Sequence, residues 1–274
     1  MFYNGLEWLE YPLIVGDDPG FMRGYSVYEV VRTYAKAPFG LKKHYERLKK
    51  SADFLGIEVP EYSDILRVMN EAMTIHDFSE YRFRLYITPG TSKKKTFYCY
   101  VEEIKENHDL TDSGVVINIA RERKPVSPVI PYYVKSPLNG YGEYLRRKYD
   151  YYYDTLLINE FGYVTECTMS NIFLVSQGVL ITPSLKSGIL PGITRENILM
   201  LASKLSIEVE ERNVEIWELL SAEEVFISHT SRGIVPVRRI IPDFTFSVPG
   251  VMTETFISNW ADLVLKDPSN WEGF

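Results

Sequence analysis

Lys135 closes an apolar, aromatic run, Tyr132-Tyr133-Val134, and the residues after it, Ser136-Pro137-Leu138-Asn139-Gly140, turn the backbone sharply. Further along, Glu166 ends the stretch Gly162-Tyr163-Val164-Thr165-Glu166. It follows a glycine-containing turn and precedes a second apolar run, Asn171-Ile172-Phe173-Leu174-Val175. A lysine that can lose its proton is a nucleophile for a carbonyl carbon. A carboxylate in an apolar setting can hold a proton on a heterocyclic nitrogen. Taken alone, the two residues read as an ordinary surface lysine and an ordinary surface glutamate.

Three further stretches offer places for an anion. In Leu190-Pro191-Gly192-Ile193-Thr194-Arg195, Thr194 stands where a helix N-cap belongs and Gly192 lets the backbone turn. The amides and dipole of such a helix start suit phosphate, although a plain capped helix looks the same. Ser228-His229-Thr230-Ser231 ends a strand-like run with hydroxyls and amides, and would otherwise be a turn. His44 and Arg47 lie one helical turn apart, and a guanidinium binds phosphate in a forked geometry. A lysine, a carboxylate for a ring nitrogen and several phosphate donors make up the inventory of a pyridoxal phosphate site. In that scheme Lys135 carries the cofactor and moves the proton as general base and acid, while Glu166 keeps the ring nitrogen charged. At ~4 Å and an effective dielectric near 20, such an ion pair contributes about 4 kcal/mol before desolvation.

The elements that must position these residues can be read in order. Val27–Tyr34 is β-branched and aromatic, hence a strand. Residues 42–56 and 63–75 carry apolar side chains at steps of three and four, hence helices. Arg82-Phe83-Arg84-Leu85-Tyr86-Ile87 alternates, with both arginines on one face, and pairs with Phe97-Tyr98-Cys99-Tyr100-Val101. Gly114 to Ala120 adds a strand to this antiparallel α+β half. Residues 121–131, charged and holding three prolines, read as a linker, with Lys93-Lys94-Lys95 as a solvated loop. Beyond it, a helix at 142–153 and strands at 155–158, 163–167, 171–175 and 179–182 suggest a barrel. Helices at 194–205, 215–220 and 251–266 and strands at 207–211 and 224–228 surround or complete it. The expectation is therefore an α+β (α/β) protein of two domains: 1–120, an N-terminal antiparallel sheet with helices, and 132–274, a β-barrel-like domain carrying Lys135.

Composition bounds the rest. With 274 residues and 45% hydrophobic content the chain can fill one large core or two ordinary ones. A net charge of −7 argues against nucleic acid as a partner. No apolar run approaches a bilayer span, and the first residues lack signal-peptide character, so a soluble cytoplasmic protein is expected. Two cysteines suggest neither a disulfide framework nor a metal site.

From about Gly20 to Pro236 the chain resembles the fold-type IV (class IV) pyridoxal phosphate enzymes. These include branched-chain aminotransferases, D-amino acid aminotransferases and aminodeoxychorismate lyases. The resemblance rests on Val27-Tyr28-Glu29-Val30-Val31-Arg32, His44-Tyr45-Glu46-Arg47-Leu48, Lys135 with Asn139, and Gly162–Glu166 with Asn171-Ile172-Phe173. It continues in Leu190–Arg195 and in Thr230 before Pro236-Val237. It implies Lys135 as the Schiff-base lysine, Glu166 against the pyridine nitrogen, and Leu190 packed on the ring. Arg47, Ile193, Thr194 and Thr230 would surround the phosphate. Two domains and a homodimer are implied as well.

The substrate signals conflict. Gly140 separates Asn139 from Tyr141, where members often have a tyrosine directly after the asparagine. Pro89 stands in the turn where D-amino acid enzymes read Thr-Arg-Gly-Thr, and Lys93-Lys94-Lys95-Thr96 replaces the arginine and histidine that follow it. Val27–Val31 resembles the D-amino acid group, Arg84 falls where branched-chain enzymes keep an arginine, and Glu166-Cys167 is similar to the lyases. The expectation is an aminotransferase acting between an amino acid and a 2-oxo acid, branched-chain-like, with Tyr28 and Arg84 contacting substrate. The alternatives are a D-amino acid aminotransferase, a lyase, or a non-catalytic binding member of the fold.

Overall fold

The computed structural model describes residues 1–91, 94–105, 109–126, 128–139 and 141–266. Two compact units result, one formed within Met1–Glu106 and Tyr133–Gly140, the other within Asn107–Tyr132 and Tyr141–Lys266.

The first unit is built on an antiparallel sheet. Its strands run in the order Trp8–Leu9, Phe2–Tyr3, Lys94–Glu103, Tyr81–Thr91, Val27–Tyr34 and Ala37–Pro38. Alternation sorts the side chains. Val27, Val31, Phe83, Leu85 and Ile87 are buried against the helices Leu41–Leu55 and Tyr62–Ile75 through Leu48, Ala52, Ile65, Val68, Met69 and Ala72. Tyr28, Val30, Arg84 and Tyr86 alternate with them and stay half-buried on the other face. The turn expected at Thr88–Thr91 is the end of a strand with a register shift, and Lys94 opens the next strand. Lys93 lies outside the described residues.

The second unit is a curled, barrel-like sheet. Its order is Val209–Arg212, Val179–Pro183, Asn171–Ser176, Glu224–His229, Gly233–Ile240, Val115–Lys124, Asp154–Asn159, Tyr163–Cys167 and Val214–Glu215, with Phe244–Thr245 off that path. Ile117, Leu156, Val164, Ile172, Leu174, Val225, Ile227 and Val235 fill one side of it. Alternate residues carry the helices: Phe173 stacks on Phe226, which meets Phe256 of the helix Val251–Lys266. No helix among the described residues is long and apolar enough to cross a membrane.

Two expectations about the chain's division change. Residues 115–124, placed by sequence at the end of the first half and the start of a linker, form a central strand of the second sheet. They pair in parallel with Asp154–Asn159 on one side and with Gly233–Ile240 on the other. Parallel pairing needs distant partners, so local sequence cannot announce it. Residues 133–140, with Lys135, group with the first unit instead of the barrel. The strand Gly233–Ile240 is an addition, since its Pro236 argues against a central strand by local rules. Pro236 nevertheless pairs in register with Phe226, and the register of the other neighbouring strand shifts just beyond it, between Val237 and Arg239.

Candidate active site

In the first unit, Lys135 is held by its main chain. Its N–H donates to Ser51 Oγ at 3.0 Å, and its carbonyl accepts from Tyr28 N–H at 3.0 Å. Ser51 in turn donates to the Arg47 carbonyl at 2.8 Å, and Ser136 Oγ donates to the Ser26 carbonyl at 2.6 Å. The segment is thus fastened to both the strand Val27–Tyr34 and the helix Leu41–Leu55. The Lys135 ammonium lies 4.7 Å from the centre of the Tyr28 ring, and that ring stacks on Tyr86. On the same strand face as Tyr86, Arg84 shares Glu102 with Arg82, at 2.9 and 2.8 Å. Lys135, Tyr28 and Arg84, singled out separately in the sequence, therefore belong to this one unit.

Arg47 has a partner that its sequence context does not name. Glu29 occupies a core position of its strand, between Val27 and Val31, where alternation would put an apolar residue. Arg47 grips its carboxylate side-on, Nε to Oε1 at 2.7 Å and Nη2 to Oε2 at 2.8 Å. His44 Nδ1 lies 2.8 Å from the same Oε2. Burial alone would raise the Glu29 carboxyl, but the charge and hydrogen bonds of Arg47, and then the hydrogen bond of His44, overcome it and hold it far below the carboxylate range. Burial is also the largest influence on His44, pushing it down, so its ring is neutral at pH 7. Because ionised Glu29 only accepts, His44 Nδ1 carries the proton. Nε2 is then a buried lone pair with no partner among the described residues.

In the second unit, Glu166 sits at the centre of a donor set. Its Oε2 accepts from Leu190 N–H at 3.0 Å and Asn171 Nδ2 at 3.2 Å, and its Oε1 accepts from Lys124 Nζ at 2.5 Å. Asn171 also donates to the Leu190 carbonyl at 3.1 Å. Glu166 and Leu190, predicted from different stretches, are thereby neighbours. Asn171 stands in the sequence as part of a strand and of the family resemblance, and Lys124 as part of a linker, without a role for either side chain. Behind them, buried Asp154 gathers the Thr155, Thr168 and Met169 amides and the Thr168 and Ser170 hydroxyls, fixing the turn that joins Glu166 to Asn171. Burial pushes the Asp154 carboxyl up and these donors offset it only partly.

The helix start differs in detail from expectation. The helix spans Ile193–Lys204 with Gly192 as N-cap, so Thr194 is inside the first turn and does not cap it. No side chain among the described residues caps this end, which leaves its first amides to another acceptor. Ile193 and Thr194 are both buried. A Cβ on Gly192 would stand 2.0 Å from Asn171 Oδ1, so the amide that holds Glu166 fills the space a side chain would need. Gly192→Ala is expected to displace Asn171 and loosen Glu166 at a cost of about 1–3 kcal/mol, read as a melting temperature lower by roughly 2–12 °C with the fold retained. Asn171 is the cross-strand neighbour of Ser228, whose buried hydroxyl has no partner among the described residues. Thr230 lies in the turn that follows. Arg195 points elsewhere, to the Pro183 carbonyl and Glu211, and Tyr141 donates to the Arg123 carbonyl at 3.2 Å.

Comparison with known proteins shows the family. The family model for class IV amino-transferases matches residues 26–240. A protein of Thermotoga maritima described as a probable branched-chain-amino-acid aminotransferase is 40% identical over 90% of this chain and 89% of its own length. The aminodeoxychorismate lyase of Bacillus subtilis is 30% identical over 81% of this chain and 80% of its own. The D-alanine aminotransferase of Bacillus licheniformis is 30% identical over 92% of both. A Thermotoga maritima crystal structure, provisionally described as a branched-chain amino acid aminotransferase, superposes with a TM-score of 0.88 at 35% identity, covering 100% of this chain and 98% of that one. With its lysine and its carboxylate each held in a built setting, the chain belongs to the class IV aminotransferases, a family of pyridoxal phosphate-dependent enzymes.

Proposed function

We propose that this enzyme moves an amino group between a branched-chain-like amino acid and a 2-oxo acid, with Lys135 as the residue that binds pyridoxal phosphate covalently. The observation that carries the reading is the setting of Lys135. Its main chain is pinned at N and O, while its amine projects over Tyr28, which stacks on Tyr86 next to Arg84 on one open sheet face.

The residues fit the cofactor. An uncapped helix start and the Ser228 hydroxyl, which has no partner among the described residues, are suited to a phosphate, and Glu166 beside Leu190 is suited to the ring. Ile193, Thr194 and Thr230 would complete the phosphate cup. When bound, the cofactor supplies a sink for the electron pair left on the substrate carbon after proton loss. The chain supplies the rest. Lys135 takes the proton from the substrate carbon and returns one as general base and acid. Glu166 supplies the negative charge that keeps a ring proton in place. Arg84 and Arg82 share one carboxylate, so the cluster keeps a net positive charge for a substrate carboxylate. Tyr28, Val30 and Tyr86 form an apolar wall suited to an aliphatic side chain.

The Thermotoga maritima relative supports the branched-chain reading. A homodimer working in the cytoplasm is part of the same proposal. The D-amino acid reading stays second, supported by Val27-Tyr28-Glu29-Val30-Val31 and the Bacillus licheniformis relative. The absorbance of the purified enzyme with pyridoxal phosphate, followed on adding L-leucine, D-alanine or D-glutamate, distinguishes them. Bleaching of the near-visible band by L-leucine alone is the expected result. Bleaching by a D-amino acid alone transfers the assignment to the second reading, and no band at all removes both.

A further inference from the structure

Lys124 has no assigned role, yet its side chain is only 7% exposed and lies against Glu166, itself 13% exposed. The ammonium is 2.5 Å from Glu166 Oε1 and 3.9 Å from the centre of the Tyr132 ring, so it is enclosed by one carboxylate and one aromatic face. Stability does not explain the choice of residue, because a buried ion pair contributes little beyond what well-packed apolar side chains would. Glu166 is its one hydrogen-bonded carboxylate among the described residues, and the Tyr132 phenol is pushed up by burial and then by the negative charges of Glu166 and Glu160.

The way Glu166 is filled gives the lysine a chemical consequence. A carboxylate oxygen accepts about two hydrogen bonds. Among the described residues, Oε2 has two donors, the Leu190 amide and the Asn171 amide, whereas Oε1 has Lys124 alone. The oxygen with acceptor capacity left is therefore the one that already touches an ammonium. Now consider one proton shared between Glu166 and the ring nitrogen of a pyridine cofactor. With the proton on the ring, the pair is carboxylate and pyridinium. With the proton on Glu166, both are neutral, and positive charge has moved to the carboxyl group, next to Lys124. The ammonium repels that charge more strongly at the carboxyl, which it touches, than at a ring on the carboxyl's far side.

We propose that Lys124 is a positioning residue which, with its charge against Glu166 Oε1, keeps the shared proton on the cofactor's ring nitrogen. The inference rests on the reading that Glu166 faces that nitrogen. Lys124 thereby sets the strength of the electron sink without touching substrate. Tyr132 and the donors on Oε2 keep the lysine and the carboxylate in register.

The test is the ¹⁵N resonance of ring-labelled pyridoxal phosphate bound to the intact enzyme, recorded for four proteins at one pH near 7. Wild type should give the pyridinium position and Glu166→Gln the neutral-pyridine position. Lys124→Met should move toward the neutral position, and Lys124→Arg should return it to wild type. The circular dichroism of each apoprotein establishes that the fold is kept, and Lys124→Gln replaces Lys124→Met if the latter fails to fold. A neutral wild-type ring, or a Glu166→Gln ring that stays protonated, overturns the assignment of Glu166 and the inference with it. A protonated wild type and a neutral Glu166→Gln, together with an unshifted Lys124→Met, overturn the role of Lys124 alone.

Discussion

Lys135→Ala should lower amino-group transfer at least about 10³-fold, or roughly 4 kcal/mol of barrier, while leaving the protein folded. The activity loss follows from the proposed role, in which the Lys135 amine both binds the cofactor and carries the proton. Preservation of the fold follows from which atoms do the structural work. The hydrogen bonds that fasten residue 135 use its backbone N and O, with Ser51 and Tyr28 as partners, and alanine keeps both. The side chain contributes one ammonium–ring contact with Tyr28, a loss of about 1 kcal/mol at most for a partly exposed pair. Mass spectrometry after borohydride reduction reads the chemistry: wild type should retain the cofactor covalently and the variant should not. Turnover within tenfold of wild type, or covalent cofactor in the variant, would remove Lys135 from the mechanism.

Why the lysine was legible and its surroundings were not is a matter of sequence distance. The helices Leu41–Leu55, Tyr62–Ile75, Ile193–Lys204 and Val251–Lys266 follow the apolar period to within a residue or two; in Leu41–Leu55 and Tyr62–Ile75 that period marks the one face that is buried. Glu166, Leu190 and Thr194 stand in stretches whose turn chemistry marks them. Lys124, in contrast, acquires its meaning from Glu166, 42 positions away. In isolation it is the last residue of Arg121-Glu122-Arg123-Lys124, which looks like a solvated linker. The paired strands Phe2–Tyr3 and Trp8–Leu9 are two residues each, too short for any alternation to register.

Arg47 illustrates the same limit at the site. Its sequence suggests a phosphate fork, and the structure adds that two of its donors already hold a buried carboxylate. Alternation could have exposed this, since Glu29 falls on the same strand face as Val27 and Val31. A carboxylate on a core face requires a cation, and the helix that covers that face offers Arg47. The hint was thus local at Glu29, while the partner was not.

Glu29→Gln should cost about 3–5 kcal/mol of stability, because it leaves the Arg47 guanidinium buried beside a neutral amide. For a chain of this size that corresponds to a fall in melting temperature of roughly 6–20 °C. Glu29→Gln with Arg47→Leu should recover part of the loss, since no unpaired charge then remains in the interface. The acid response supplies an independent check. Glu29 has a lower pKa folded than unfolded, so its contribution is complete above the unfolded value of about 4.3 and is lost as pH falls toward the folded one. His44 is also lowered on folding, and as a base it works in the same direction. The unfolded chain binds its proton first, so stability begins to fall below about pH 6.5. Wild type should therefore lose stability in two stages on acidification, the first from His44 and the second, steeper one from Glu29. In Glu29→Gln the second stage should shrink, because no carboxylate remains there to protonate. Denaturant midpoints measured at pH 7, 5.5 and 3.5 test both statements. A variant that melts within two degrees of wild type and keeps its full acid response would mean that the Glu29–Arg47–His44 cluster does not hold the helix Leu41–Leu55 to its sheet.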